Sequence, residues 1–293
     1  MATTTSQHIG TTTAAPQRRL SFTKIVMTVL IGLLLVIELY PIVWLLLSSI
    51  KAPDEFNLRP IYALPDSFHW QNYVDAWTRG NMSIYFRNSI LVTFPSLLLI
   101  IVLSVAAAFA IEIMRWRGRN TVLLIFLAGI MIPLQMVLLP LFTIYYKVGL
   151  LNNLLGLILT YIAFGLPLNV FLFTGYLKPI PREVLESAIV DGANIYQAFF
   201  RIVLPMLMNA IITVALTQFF FVWNDLILSL TFISQTNLRT IQTGLLSFVG
   251  QYGQREWGPT FAAISMSVIP TLVLYMLLNN LVVKGLTSGA VKG

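Results

Sequence analysis

Six apolar stretches dominate this sequence, and each is long enough to cross a lipid bilayer as an α-helix. A hydrocarbon core is about 30 Å thick, so a helix that rises about 1.5 Å per residue needs roughly 20 apolar residues to span it. Hydrophobic residues make up 57% of the chain and charged residues 10%, proportions that soluble domains do not have. The pattern predicts an all-α integral membrane protein with six transmembrane helices, at residues 25–50, 89–113, 122–145, 154–176, 205–228 and 260–283.

Residues 1–24 form a polar, threonine-rich segment, which is predicted to be a disordered tail before the transmembrane region 25–283. Arg18, Arg19 and Lys24 precede the first apolar stretch, as basic residues precede the core of a secretory signal. The stretch is too long for such a core, and no small-residue cleavage site follows it. It is therefore predicted to remain as a membrane helix.

The orientation follows from arginine and lysine in short loops. Three arginines crowd the loop between the second and third stretches: Arg115, Arg117 and Arg119. The loop between the third and fourth stretches holds only Lys147. Because cytoplasmic loops carry the excess of basic residues, the arginine-rich loop is predicted to be cytoplasmic. Both termini and the loop 177–204 then lie in the cytoplasm, and the loops 51–88 and 229–259 lie outside.

Aromatic residues are concentrated in and after the first outer loop: Trp70, Tyr73, Trp77, Tyr85 and Phe86. They fit a belt at the outer membrane interface, where amphipathic rings are enriched. Packing beneath the loop explains them equally well, so the sequence leaves both interpretations open.

Prolines interrupt the predicted spans: Pro41, Pro95, Pro133, Pro140, Pro167 and Pro270. The backbone groups that such breaks free are tolerated where they face protein or a water-filled cavity, as in a translocation path. Prolines are also ordinary in membrane helices, so alone they do not indicate transport.

Several chemistries find no support in this sequence. It has no cysteine, and His8 and His69 stand apart from any carboxylate cluster, so neither a metal site nor a nucleophile with its base is predicted. No Gly-x-x-x-x-Gly-Lys-Ser/Thr phosphate loop occurs, so the chain is not expected to hydrolyse ATP or to be an enzyme. The net charge of +7 comes from scattered lysine and arginine, which fits lipid headgroups better than nucleic acid.

The predicted cytoplasmic loop 177–204 has the pattern of two short helices. Pro181 suits the first turn of a helix, and Glu183 and Glu186 complement the positive end of the helix dipole. Gly192 supplies a left-handed residue that ends such a helix. One face of this helix collects four apolar residues: Val184, Leu185, Ala188 and Ile189.

A second amphipathic segment follows, before Pro205 opens the fifth predicted span. Its apolar residues are Ile195, Phe199, Ile202 and Val203. An apolar helical face in a cytoplasmic loop needs a cover. That cover is either the protein's own spans and the lipid headgroups, or another protein.

The run from Glu186 to Leu204-Pro205 resembles the signature cytoplasmic loop of permease subunits from binding-protein-dependent ABC importers, which have the type I permease fold. In that family the first short helix of the loop is the coupling helix, which sits in a cleft of the ATPase subunit. The family usually has Glu-Ala-Ala at this point, and Ser187 replaces the middle alanine here. The resemblance assigns ATPase coupling to Glu186, Ser187, Ala188, Asp191, Gly192, Ala193, Phe199 and Pro205.

Three further motifs resemble the carbohydrate-uptake, maltose-type group of these importers, and within it the smaller permease subunit: Arg87-Asn88-Ser89, Trp223-Asn224-Asp225 and the C-terminal residues 285–293. The resemblance implies that the cytoplasmic tail 284–293 also contacts the ATPase. The residues concerned are Ser288, Gly289, Ala290, Val291, Lys292 and Gly293. A frayed glycine-rich end is the alternative for this tail.

Glu38 and Asp225 stand within or beside apolar stretches, where an isolated charge is costly. Glu38 lies near the middle of the first stretch and is assigned a structural role, although a proton-driven transporter would use such a group as its relay. Asp225 lies beside Trp223 and Asn224 near the outer end of the fifth stretch. These three residues either line a substrate pathway, where they would bind sugar hydroxyls, or make a structural turn or helix contact.

The residues and the resemblance together predict one subunit of an ATP-driven importer in the cytoplasmic (inner) membrane. It would pair with a second homologous permease, two ATPase subunits that bind ATP and magnesium, and an extracytoplasmic sugar-binding protein, and it would hold no cofactor itself. Transport of a di- or oligosaccharide would follow alternating access. A proton-coupled transporter and a permease for glycerol phosphate are the alternatives, the latter disfavoured because no lysine or arginine stands within a predicted span.

Overall fold

The computed structural model describes residues 22–248 and 256–290, with side chains described through residue 279, and all regular structure in these ranges is helical. The α-helices are α1 (Phe22–Ser48), α2 (Glu55–Leu58), α3 (Gln71–Thr78), α4 (Met82–Glu112), α5 (Arg119–Ile130), α6 (Leu134–Val148), α7 (Leu154–Leu177), α8 (Arg182–Val190), α9 (Ile195–Ala198), α10 (Leu204–Met206), α11 (Met208–Trp223), α12 (Ile227–Phe232), α13 (Ile241–Leu245) and α14 (Trp257–Ala290). A π-helical segment, Phe199–Val203, joins α9 to α10, and the 3-10 segments Thr236–Leu238 and Leu246–Phe248 flank α13.

Four of the described helices are long and apolar enough to cross a membrane: α1, α4, α7 and the Trp257–Asn279 part of α14. Two bent pairs raise the number to six if each pair counts as one span. They are α5 with α6, bent by 96°, and the segment Ile195–Met206 with α11, bent by 71°. The predicted all-α membrane architecture is confirmed, and two of its spans are broken rather than continuous.

The third predicted span, residues 122–145, is interrupted at Pro133. α5 ends at Ile130, and α6 begins at Leu134 after Pro133, whose backbone is extended at φ −65° and ψ 131°. Proline has no N–H to donate, and its ring disfavours a helical conformation for the residue before it. The chain therefore turns sharply inside a stretch that is apolar throughout.

The fifth predicted span, residues 205–228, differs from the structure at both ends. Pro205 lies in α10, and α11 begins only after Leu207, where the backbone has ψ −2°. At the other end α11 stops at Trp223 and a separate helix, α12, follows. The apolar composition continues across the first break and therefore concealed it, whereas the second break falls at the polar pair Asn224-Asp225.

Other boundaries move by smaller amounts. The second span begins at Met82 instead of residue 89, because the first turns of α4 pack under the loop that follows α12. The last helix continues without a break from the predicted span into the predicted tail and reaches Ala290. Ser288, Gly289 and Ala290 are therefore helical, and the tail residues from 291 onward lie outside the described ranges.

The chain divides into two units, residues 1–44 and 45–293. The first contains most of α1, with Glu38 and Pro41 inside the helix. In the second, three clusters of buried apolar side chains follow the length of α4. Phe109 near its C-terminal end belongs to the same cluster as Leu185, Tyr85 near its N-terminal end to the cluster of Trp223, and Val92 to the cluster between them.

Candidate coupling surface and transmembrane cavity

The helix α8 has the boundaries that its sequence predicts. Pro181 precedes it in an extended conformation, and Gly192 follows it with φ +87°. The N–H of Ala193 donates to the Ala188 carbonyl over 2.9 Å, and the N–H of Asp191 to the Ser187 carbonyl over 2.9 Å. A Cβ added to Gly192 would meet nothing within 4 Å, so its positive φ, and not crowding, favours glycine at this position.

A capping box that the sequence interpretation missed starts α9. The Asn194 side chain accepts the Gln197 N–H over 2.9 Å, and the Gln197 side chain accepts the Asn194 N–H over 2.9 Å. The Asn-x-x-Gln spacing is the sequence signal for this arrangement. Together with Gly192, it fixes the turn between α8 and α9.

The apolar face predicted for α8 is only half covered by the protein itself. Leu185 is 6% exposed and belongs to the buried cluster that includes Phe109 and Ala198. Phe199 anchors the following segment, with its ring edge against Phe109 at a centroid distance of 4.9 Å. Val184 and Ile189, in contrast, are exposed. Packing against the protein's own spans therefore accounts for part of this face and leaves the remainder open.

The surface that α8 turns outward combines apolar and polar groups. Val190 is 86% exposed and Ile189 is 56% exposed. The residues that the resemblance assigned to coupling are a different set: they are exposed at Glu186, Ser187, Asp191, Gly192 and Pro205, and half-buried at Ala188, Ala193 and Phe199. We call residues 182–205, which contain these side chains, the coupling surface.

Ser187, the departure from the family pattern, is compatible with the helix. Its hydroxyl donates to the Val184 carbonyl over 3.1 Å, so the extra polar group is satisfied within α8. The shape of the coupling surface with serine at this position is therefore almost the same as it would be with alanine.

Beneath α8 a cavity of about 380 Å³ separates it from the end of α4. Glu186 and Arg182 line it from α8, and Arg115 lines it from the α4–α5 loop. No ion pair is found between Glu186 and either arginine among the residues that the structure describes. The arginine-rich loop and the coupling surface thus lie at the same end of the molecule.

At the opposite end of α4, Trp223 closes α11. Its indole N–H donates to the Ser267 carbonyl of α14 over 3.1 Å. Its ring stacks on Phe219 at 5.3 Å and meets the edge of Phe86 at 5.6 Å. Trp223 is buried and therefore joins α11 to α14 and α4.

Asn224 and Asp225 make the other two connections of this triplet. Gln242 of α13 donates its side-chain N–H to Asn224 Oδ1 over 3.2 Å. Asp225 Oδ2 accepts the Tyr161 hydroxyl over 2.8 Å and the Ser229 N–H over 3.0 Å, while Oδ1 accepts the Leu228 N–H over 3.3 Å. Asp225 thereby starts α12 and ties it to α7, the structural turn and helix contact that the sequence offered as one alternative.

The Arg87-Asn88-Ser89 motif fixes the segment after α12 to the side of α4. Asn88 donates from Nδ2 to the Asn237 and Arg239 carbonyls over 2.9 and 3.0 Å. Ser89 accepts the Ile241 N–H over 2.9 Å. Two motifs quoted for the resemblance thus hold the loops at this end. We call them the outer junction (residues 87–89 and 223–225), after the orientation that the sequence predicts.

The aromatic residues predicted for an interfacial belt do not behave as one group. Tyr85 is fully buried, and its hydroxyl lies 3.2 Å from the Ser247 hydroxyl. Trp70 and Trp77 are exposed, and Tyr73 and Phe86 are half-buried. Packing beneath the loop therefore explains Tyr85, and a position at the membrane interface stays a prediction for the two tryptophans.

Asp225 also lines a cavity of about 290 Å³ between α7 and α11. Tyr161 and Gln218 contribute the other polar side chains, and Phe164 and Phe221 contribute aromatic rings. The sequence interpretation chose Asp225 and missed Tyr161 and Gln218. The amide of Gln218 inside an apolar stretch was the available signal.

Comparison with known proteins identifies the family of this chain. Residues 113–288 match the family described as binding-protein-dependent transport system inner membrane component. The chain is 33% identical to the probable ABC transporter permease protein YurM of Bacillus subtilis, over 95% of this chain and 92% of that protein. It is 32% identical to the diacetylchitobiose uptake system permease protein NgcG of Streptomyces coelicolor, over 87% of this chain and 84% of that protein.

A third relative is the probable starch degradation products transport system permease protein AmyC of Thermoanaerobacterium thermosulfurigenes, 30% identical over 94% of this chain and 99% of that protein. Among solved structures, a chain of a bacterial ABC transporter involved in the import of the acidic polysaccharide alginate superimposes with a TM-score of 0.79. That comparison covers 92% of this chain and 99% of the other at 22% identity, so it shows the fold. The family match covers more than half of the sequence, and this chain therefore belongs to the inner membrane permease components of binding-protein-dependent ABC transport systems.

Proposed function

We propose that this chain is the transmembrane permease subunit of an ATP-driven importer for a di- or oligosaccharide. Family membership supports the importer, and the names of relatives support the substrate class, since they include permeases for diacetylchitobiose and for starch degradation products. A second homologous permease, two ATPase subunits and an extracytoplasmic sugar-binding protein complete the assembly. ATP and magnesium bind to the ATPase subunits.

The coupling surface carries this proposal. Helix α8 is held to the body by Leu185 and fixed at its end by Gly192, yet Ile189 and Val190 are exposed. Moving a valine or isoleucine side chain from water into a protein cleft contributes about 1.5–3 kcal/mol. A rigid short helix with two such side chains at its tip is suited to a cleft in an ATPase subunit.

Movement of α8 would reach the membrane through the segment that follows it. Phe199 packs against Phe109 of α4, and the chain then bends at Leu207 into α11. α11 ends in the outer junction at Trp223. Closure of the ATPase pair would thus displace the inner end of α11 relative to α4, and the two permeases would alternate between inward-facing and outward-facing states.

The same proposal covers the orientation and the tail. The coupling surface lies at the end of the molecule that holds the arginine-rich loop, which supports a cytoplasmic position for both. Both termini would then be cytoplasmic, in a multi-pass protein of the cytoplasmic membrane. Residues Ser288 to Gly293 would make a second contact with the ATPase, for which the resemblance is the support.

Purification from the native membrane in mild detergent tests the proposal. Proteins that co-purify with this chain are identified by mass spectrometry, and ATP hydrolysis is measured with and without the sugar-loaded binding protein. A second permease and an ATPase subunit should be recovered, with hydrolysis stimulated by the binding protein. A homo-oligomer without ATPase activity would contradict the proposal and favour the proton-coupled alternative around Glu38.

A further inference from the structure

The cavity between α7 and α11 lies within the depth of the membrane-spanning helices. Tyr161 and Gly165 line it from α7, about 10 and 17 Å from the start of that helix at Leu154, at about 1.5 Å per residue. Polar side chains at such depth are costly when they face lipid and usually face protein or a water-filled path. The depth and the polar lining of this cavity fit a position beside a translocation path.

Gln218 offers the cavity a hydrogen-bond donor. It is 8% exposed, and its Oε1 accepts the Asn169 Nδ2–H over 3.1 Å. Asn169 also donates to the Gly165 carbonyl over 2.6 Å, so the amide pair is fixed in orientation. No acceptor for Gln218 Nε2 is found among the described residues, and a Cβ added to Gly165 would lie 3.0 Å from that nitrogen. The absence of a side chain at Gly165 leaves Nε2 room to bind a ligand oxygen.

Asp225 and the aromatic rings provide the complementary groups. Asp225 Oδ1 has a single long contact, 3.3 Å from the Leu228 nitrogen, and so keeps capacity to accept a further hydrogen bond. Phe221 is 61% exposed and Phe164 is half-buried, and both rings line the cavity. The amide donor and the carboxylate acceptor match the hydroxyls of a sugar, and the ring faces match its C–H face.

The charge of the cavity limits what it accepts. Asp225 is the one charged residue among those that line it within the described part of the chain, and its carboxylate repels an anion. A volume of about 290 Å³ also lies at the lower end of the range for small-molecule sites, about 300–1,000 Å³. One sugar unit fits these limits, and a whole oligosaccharide does not.

From these observations we infer that this permease itself contains a binding subsite for one uncharged sugar unit of the transported saccharide, formed by Gln218, Asp225, Phe221 and Phe164. The inference rests on the proposed function and extends it, because it assigns direct substrate contact to this subunit. The rest of the saccharide would extend toward the partner permease.

Photo-crosslinking in the complete assembly tests the subsite. Diazirine derivatives of maltose and N,N′-diacetylchitobiose serve as neutral probes, and a diazirine derivative of digalacturonate serves as the anionic probe. The assembly, with ATPases, partner permease and binding protein, is irradiated during ATP turnover, and labelled peptides are identified by mass spectrometry. The neutral probe that is transported should label the α7 and α11 peptides of this chain, and the anionic probe should not.

Substitutions of cavity residues then test whether the labelling comes from a probe bound in the cavity. Gln218→Leu should lower labelling of this chain about tenfold, the effect of losing one well-placed hydrogen bond at a buried site. Phe221→Ala provides a second test with little risk to folding, because that ring is largely exposed, and should lower labelling about threefold, a smaller loss since only part of its contact is removed. Thr217→Val is the matched control, since Thr217 is the exposed neighbour of Gln218 in α11 and does not line the cavity.

The outcomes separate the inference from the proposed function. If a neutral sugar is transported but the label appears only on the partner permease, or if Gln218→Leu and Phe221→Ala both label like Thr217→Val, the subsite is overturned and the importer stands. Labelling of this chain by the anionic probe would overturn the restriction to uncharged sugars. If no sugar is transported and none stimulates ATP hydrolysis, the proposed function itself fails.

Discussion

The coupling surface and the outer junction lie at opposite ends of α4. They differ in how far their side chains are buried and hydrogen-bonded within the chain. At the outer junction, polar side chains such as Asn88 and Asp225 hold neighbouring loops by hydrogen bonds, and Trp223 is buried. On the coupling surface, Ile189 and Val190 are exposed, and the hydrogen bonds of α8 stay within the loop. At one end the side chains find their partners within the chain, and at the other two apolar side chains stay exposed.

The difference also indicates how movement would pass through the subunit. We expect the outer junction, which joins α11 to α14, α13 and α12 by separate hydrogen bonds, to resist local change. We expect the coupling surface, which is held mainly by Leu185 and Phe199, to shift more easily.

Trp223→Ala should have the largest effect, because it removes a buried indole and its hydrogen bond to Ser267. Replacing a buried tryptophan by alanine costs about 3–5 kcal/mol in soluble proteins. We expect a clear drop in the thermal unfolding temperature of the purified assembly. Trp70→Ala, at an exposed tryptophan, is the control and should change that temperature little. Equal effects of the two substitutions would show that the outer junction is not a rigid unit.

Val190→Asp should remove the ATPase subunits from the complex without unfolding the permease. The apolar side chain, whose burial is worth about 1.5–3 kcal/mol, is replaced by a charge that must be desolvated in the cleft. Co-purification of the ATPase with this chain measures the effect. Val74→Asp makes the same change at an exposed valine of α3 and should leave the complex intact. Retention of the ATPase by Val190→Asp would contradict the assignment of the coupling surface.

Gly192→Ala should reduce the uptake supported by each ATP hydrolysed. The substitution forces a side chain into φ +87°, a strain of about 1–2 kcal/mol that α8 can relieve by changing its angle. Gly149 is the matched control, with φ +72° and equally open space for a Cβ. Gly149→Ala carries similar strain away from the coupling surface, so it should leave the ratio of uptake to hydrolysis unchanged. If both variants alter that ratio alike, strain anywhere in the chain explains the effect.

Asn194→Ala should have the smallest effect of the four, since it removes only the capping box of α9. Loss of such a cap costs about 1 kcal/mol. Faster amide exchange at residues 195–198, measured by hydrogen–deuterium exchange, should report it. Asn153 caps α7 by accepting the Leu155 N–H over 2.9 Å and gives the matched variant Asn153→Ala. There the faster exchange should appear in the first turn of α7 and leave α9 unchanged.

Local signals predicted the ends of α8 well. Pro181 and Gly192 act on their own backbone angles, so the ends of α8 could be placed without knowledge of the rest of the fold. The sequence could not predict that Leu185 on its apolar face is buried and Ile189 is exposed, because this depends on where Phe109 of α4 lies. The roles of these residues in coupling remain predictions.

The outer junction and the cavity were harder to predict for the same reason. Asp225 was recognised as a costly carboxylate, but its partner Tyr161 is distant in sequence and looks like one more aromatic residue in an apolar stretch. The start of α11 was missed because the composition stays apolar through Leu207, where the backbone bends. Its end was missed because the apolar residues that resume after Asp225 look like a continuation of the same span.

Apolar length, proline and glycine act locally, so they were enough to predict a helical membrane protein with a short, capped helix in a loop. They could not predict which polar side chains meet at the outer junction, where the cavity opens, and which apolar residues of α8 stay exposed. Each of these depends on residues from separate helices coming within a few ångströms of one another, and spacing along the chain does not encode that distance.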